Sequence, residues 1–182
     1  MKKFKALISF LLILVLFVVH SFAESPDKLP SQFISVYFSP KGGCTEAIVH
    51  ELNNAKSSIL VQAYSFTSAP IAKALVTAHG RGIEVKVLLD QRHLTEKYTN
   101  APFLAKSGVP IRIDGAHASA HNKVMIIDGE TLITGSFNFI KAAEEKNAEN
   151  LLVIRDKVLA ARYVGNWKLH EGHSESYQGK NH

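Results

Sequence analysis

The unbroken apolar runs Ile59–Val61, in SILVQAYSF, and Val87–Leu89, in IEVKVLLD, constrain this fold most. A strand with one wet face alternates apolar and polar residues, so continuous Val, Ile and Leu imply strands covered on both faces. Helical stretches fall between them. FISVYF (33–38) reads as a strand and SPKGG as a turn, and CTEAIVHELNNAK then places Ala47, Ile48, Leu52 and Ala55 at helical spacing. In SAPIAKALVTAHGRG, Ser68 is positioned to cap a helix, Pro70 lies in its first turn and a glycine ends it. YTNAPFLAKSG predicts a short helix, VPIRI and NLLVIR predict strands, and a last helix is expected from Lys157 to about Leu169. This order predicts a single α/β domain, a mixed β-sheet flanked by helices. No internal repeat, low-complexity tract or second domain is visible.

The N-terminus follows other rules. Lys2, Lys3 and Lys5 precede an apolar run from Ala6 to Val19, broken only by Ser9, and SFA offers small residues before a cut. This is the pattern of a secretory signal, with cleavage expected after Ala23. Residues 1–23 are then the signal, 24–31 a polar linker, 32–170 the folded domain and 171–182 a loose polar tail. The protein is expected in the periplasm or outside the cell. If the segment stays uncleaved, flanking residues could lengthen the run into a membrane anchor.

The chain of 182 residues is long enough for a sizeable core. It carries 21 Lys and Arg against 16 Asp and Glu; without Lys2, Lys3 and Lys5 the balance is 18 to 16, or +2. Net charge therefore argues only weakly for a polyanionic partner, and a local basic patch would have to carry that case. Cys44 is the single cysteine, so no internal disulfide can form.

The stretch HNKVMIIDGETLITGSFNF (121–139) alternates like a hairpin but is polar where a core would be apolar. His121, Lys123, Met125 and Ile127 share one face. DGET suits a type II′ turn with Gly129 first, which pairs Asp128 with Thr131, Lys123 with Ser136 and His121 with Asn138; a bulge at Gly135 would shift this by one. Four polar residues then gather at one end of the hairpin. Histidine can act as nucleophile or acid near neutral pH, lysine adds charge, and serine and asparagine add hydrogen-bond donors. Together they suit a tetrahedral anion such as phosphate. TGSFN is not G-x-S-x-G, which disfavours a Ser–His hydrolase, and the Lys123 ammonium disfavours a metal beside His121.

His121-x-Lys123, then Asp128, then Gly135-Ser136-x-Asn138 resembles the HKD motif of the phospholipase D superfamily. AYSFTSAPIAKALVTA and GSFNFIKAAEEKNAEN extend the likeness to small bacterial endonucleases of that superfamily, from about Phe33 to Trp167. The resemblance implies attack by one histidine to form a phosphohistidine, protonation of the leaving oxygen by a second, and hydrolysis without metal or other cofactor. His121 matches the histidine, and Lys123, Ser136 and Asn138 match the groups holding the phosphate oxygens. Glu149 matches an acidic residue that orients the ring, although a surface carboxylate would read the same. Asp128 is expected to face away from His121 and hold the turn, with Gly135 also structural.

The expected activity is that of a metal-independent endonuclease acting on DNA, with RNA also open. A phospholipase D or cardiolipin hydrolase using the same chemistry is the first rival, and a non-catalytic nucleic-acid-binding protein the second. No other histidine is followed by x-Lys, so a homodimer is expected to unite two His121 faces. His50 lacks a partner four residues on and fails as a zincin motif. His79, His93 and His117 read as loop or helix-end residues, and His170 and His173 of HEGH as part of the tail. Lys141 reads as exposed, and Phe137 and Phe139 as core residues.

Overall fold

The computed structural model describes residues 33–179; the signal and linker assigned to 1–31 lie outside the described residues. Eight strands form one mixed sheet in the order β1-β7-β6-β5-β2-β3-β4-β8. They are β1 (Ile34–Ser39), β2 (Ser58–Ala63), β3 (Glu84–Asp90), β4 (Ile111–Asp114), β5 (Lys123–Ile127), β6 (Thr131–Gly135), β7 (Glu149–Arg155) and β8 (Glu175–Ser176). β2–β3 and β3–β4 are parallel, and the other pairs are antiparallel.

The apolar runs are covered on both faces, as their composition requires. Helices α1 (Cys44–Asn54) and α2 (Ala69–Gly80) contribute Ile48, Leu52, Ile71 and Leu75 to a core containing Ile59, Val61, Val85, Val87, Met125 and Ile127. The short helices α3 (Ala101–Lys106) and α4 (Lys141–Glu145) add Leu104 and Ala143 to that core. A smaller core gathers Leu88, Val124, Ile126 and Leu132 against Ala160 and Trp167 of α5 (Lys157–His173). The Trp167 indole donates to the Val61 carbonyl at 2.9 Å, so this large buried ring keeps its hydrogen bond. Ser68 occupies the N-cap of α2, but its hydroxyl makes no capping bond; its amide instead donates to the Phe139 carbonyl.

The segment after Leu169 departs from expectation. Instead of a loose tail from Glu171, α5 continues to His173, and β8 adds an edge strand to β4. The Arg112 guanidinium holds this return, donating to the Ser174 carbonyl and to Ser174 Oγ at 3.0 Å. Polarity misled here, because an edge strand needs only backbone pairing on one side. Among the described residues, no helix is long and apolar enough to cross a membrane.

Candidate active site

The hairpin register is the first correction. Ile127 pairs with Thr131 and Val124 with Thr134, one residue away from the II′ alignment. Asp128 and Gly129 have φ of 56° and 65°, and the Glu130 amide donates to the Ile127 carbonyl at 3.0 Å. Positive φ at both central residues is the type I′ pattern, which Asp-Gly favours. Asp128 tolerates it because its carboxylate gathers the amides of Lys56, Ser57 and Ser58 at 2.7–3.1 Å and the Ser57 hydroxyl at 2.9 Å. Burial would raise its pKa, but those hydrogen bonds together lower it. Asp128→Ala is expected to cost about 2–3 kcal/mol of unfolding free energy, by losing charged hydrogen bonds and placing alanine at positive φ. Denaturant unfolding checks this, and an unchanged midpoint contradicts it.

At the opposite end of the hairpin, the Ser136 and Phe137 amides both donate to the Asn150 carbonyl, at 3.1 and 3.2 Å, forming a bulge. Gly135 permits it: a Cβ there would lie 2.2 Å from the Asn150 carbonyl oxygen. Phe137 and Phe139 remain fully buried.

His121 and Lys123 come together beyond the start of β5. The Lys123 ammonium lies 3.0 Å from His121 Nδ1 and 2.8 Å from the His121 carbonyl oxygen. An ammonium only donates, so the His121 carbonyl oxygen accepts from Lys123 and ties the lysine to the histidine backbone. Lys123 is buried, and burial lowers its pKa while the negative charge of Glu149 opposes that shift. Ser136 is exposed beside β7, where its hydroxyl accepts the Asn150 amide at 3.0 Å. Asn138 Oδ1 is buried without a hydrogen-bond partner.

Glu149 opens β7, an inner strand, but among the described residues no hydrogen bond joins it to His121. Its Oε1 accepts from Asn147 Nδ2 at 3.1 Å, and it acts on the site through the charge of Lys123. Glu149→Gln is therefore expected to lower the Lys123 pKa. If the ammonium is the active form, activity is lost as pH rises through that pKa, and the alkaline limb of the rate profile moves to lower pH. A uniform loss at every pH, with that limb in place, would instead indicate orientation of the ring.

Several residues at the site carry no motif. The Tyr64 and His121 ring centroids lie 4.2 Å apart, and the Tyr64 centroid is 4.4 Å from the Arg92 guanidinium carbon and 5.1 Å from Lys123 Nζ. Tyr64, Gln91, Arg92, Leu94, Ala118 and Ser119 line a groove of about 550 Å³. Asp90, at the end of β3, accepts the Ala120 amide at 2.7 Å and the Arg92 amide at 2.9 Å, fixing both walls. Strand-end position was the only sequence signal for Tyr64 and Asp90.

A lysine-backed histidine at the end of an inner strand, beside an open groove, fits a phosphodiester hydrolase. This chain belongs to the phospholipase D superfamily. The family profile for the cardiolipin synthase, PLD-like domain matches residues 48–168. Phospholipase D of Rickettsia conorii is 42% identical over 141 residues, covering 78% of this chain and 70% of that protein. The mitochondrial cardiolipin hydrolase of Xenopus tropicalis is 30% identical over 112 residues, 62% of this chain and 53% of that protein. The crystal structure of a phospholipase D family member, Nuc from Salmonella typhimurium, superimposes with a TM-score of 0.77 at 40% identity, covering 80% of this chain and 98% of that one.

Proposed function

We propose that the protein hydrolyses phospholipid phosphodiesters by two successive displacements. His121 attacks phosphorus, and the bond to the leaving oxygen breaks as a second histidine protonates that oxygen. Water then attacks phosphorus, the N–P bond breaks, and His121 is released. Lys123 balances charge on the non-bridging oxygens, with Ser136 and Asn138 as further hydrogen-bonding groups.

The groove rim carries the lipid reading. Leu94 is half exposed in its wall beside Arg92, and the same segment exposes Tyr98. Apolar and cationic side chains together suit the boundary between anionic headgroups and acyl chains. The names phospholipase D and cardiolipin hydrolase among the relatives support the same substrate class. This displaces the endonuclease as the leading reading. Nucleic acid stays second because Tyr64, with Arg92 over its ring, offers a stacking surface beside His121.

The test offers anionic phospholipid vesicles, plasmid, single-stranded DNA and RNA in parallel to wild-type and His121→Ala protein. Headgroup release that disappears in the variant is expected. Nucleic-acid cleavage without lipid hydrolysis overturns the lipid reading in favour of the nuclease.

Among the described residues no second histidine joins His121 at the site, which supports a two-fold homodimer with a shared site. His93 is buried between Thr99 and the Tyr64 carbonyl, His50 bonds Asn54, and His117, His170 and His173 converge on Asp114. Wild-type and His121→Ala chains refolded together in equal amounts should retain about a quarter of wild-type activity if mixed dimers are inactive. Retention of about half would mean independent sites.

A further inference from the structure

Asp114, His117, His170 and His173 form a cluster that the phosphodiester chemistry does not use. Asp114 ends β4 with its carboxylate buried, and His117 returns to it three residues later. α5 brings His170 and His173 from its last turn, at the i,i+3 spacing that puts two side chains on one face. The separations from the Asp114 oxygens are 3.1 Å to His117 Nδ1, 2.6 Å to His170 Nδ1 and 3.3 Å to His173 Nε2. One ligand atom from each of the four residues lies within 4.8 Å of all the others.

We propose that this cluster is a structural binding site for a divalent transition metal of the zinc class, with three imidazole nitrogens and one carboxylate oxygen as ligands. Zinc bonds of 2.0–2.1 Å in a tetrahedron put ligand atoms about 3.3–3.4 Å apart. The observed separations bracket that distance, so small side-chain rotations complete the site. Imidazole-rich sets favour zinc and its transition-metal neighbours over magnesium or calcium, which prefer all-oxygen sites. The three imidazole centroids lie only 4.8–5.2 Å apart around the one carboxylate, a spacing that a single central ion would bridge. His173 is 37% exposed and His117 45% exposed, so an ion can enter without unfolding the chain.

The position gives the site its consequence. From Asp114 the chain passes through His117, then Ala118 and Ser119 of the groove wall, to Ala120 held by Asp90 and on to His121. A metal here joins the C-terminal helix to the loop that leads into the active site. It takes no part in the reaction, and the inference does not depend on whether the substrate is lipid or nucleic acid.

The test titrates Zn²⁺ into chelator-stripped purified protein, with a competing chromophoric chelator, and measures thermal unfolding in parallel. One equivalent per chain and a raised unfolding midpoint are expected. Co²⁺ should give the intense visible bands of a tetrahedral ion. His173→Ala and His117→Ala, both at partly exposed positions, should each weaken zinc binding at least about a hundredfold, taking the upper end of the loss seen for supporting residues. Their metal-free unfolding should stay close to that of wild type. Wild-type protein that binds no zinc overturns the proposal, as does equal affinity in wild type and the two variants.

Discussion

Alanine at His121 is expected to leave a folded protein that cleaves its phosphodiester at least about a thousandfold more slowly, because removing a covalent nucleophile eliminates the reaction path itself. The residue is exposed ahead of β5 and touches Tyr64 and Lys123, so truncation opens no cavity in either core. Unfolding should shift by less than about 0.5 kcal/mol, the usual range for such positions. Steady-state rates and denaturant unfolding of the same preparation check both halves. A folded variant retaining a tenth of wild-type turnover would remove His121 from the reaction.

The second large effect is at Lys123. Only 7% of this residue is exposed, so its ammonium is held in the protein at a desolvation cost that hydrogen bonding to His121 only partly offsets. Lys123→Met keeps much of the apolar stem and removes the charge. Cleavage is expected to fall about 10²–10³-fold, the range for losing a group that stabilises developing negative charge. Stability should be unchanged or increase, since methionine fills the space without a buried charge. Lys123→Arg should rescue poorly, because a planar guanidinium does not fit a site shaped for a compact ammonium. Full activity in Lys123→Met would show that the charge is dispensable.

The stability and activity effects separate along the hairpin for a reason the residues make plain. Asp128 and Lys123 belong to the same motif, yet one anchors the loop at 56–58 and the other meets His121 at the far end of β5. That separation was readable from strand alternation alone. The order of strands and helices was readable too, because runs such as Ile59–Val61 need cover on both faces. Pairing register was not. Asp128 adopts positive φ with help from amides some seventy positions earlier, and no local turn rule includes them.

Long-range partners explain the other differences. Tyr64, Arg92 and Asp90 shape the groove through contacts between β2, β3 and the loop before β5, and none carries a motif. Glu149 matched a family position, but its charge acts on Lys123 and its side-chain hydrogen bond comes from Asn147. The Asp114 cluster was hidden most completely. Asp114-x-x-His117 and His170-x-x-His173 are each weak patterns, separated by the whole hairpin, and only the packing of α5 against β4 unites them. Reading HEGH as tail followed from its polarity; its partners lay more than fifty residues away.

The most direct test of the account is to trap the covalent intermediate. Wild-type protein is mixed with a substrate labelled at phosphorus, quenched in alkali, where an N–P bond survives, and digested for peptide mass analysis. Label is expected on the peptide containing His121 during turnover, and none in His121→Ala. Rapid turnover with no labelled peptide, or label on a different residue, would contradict it.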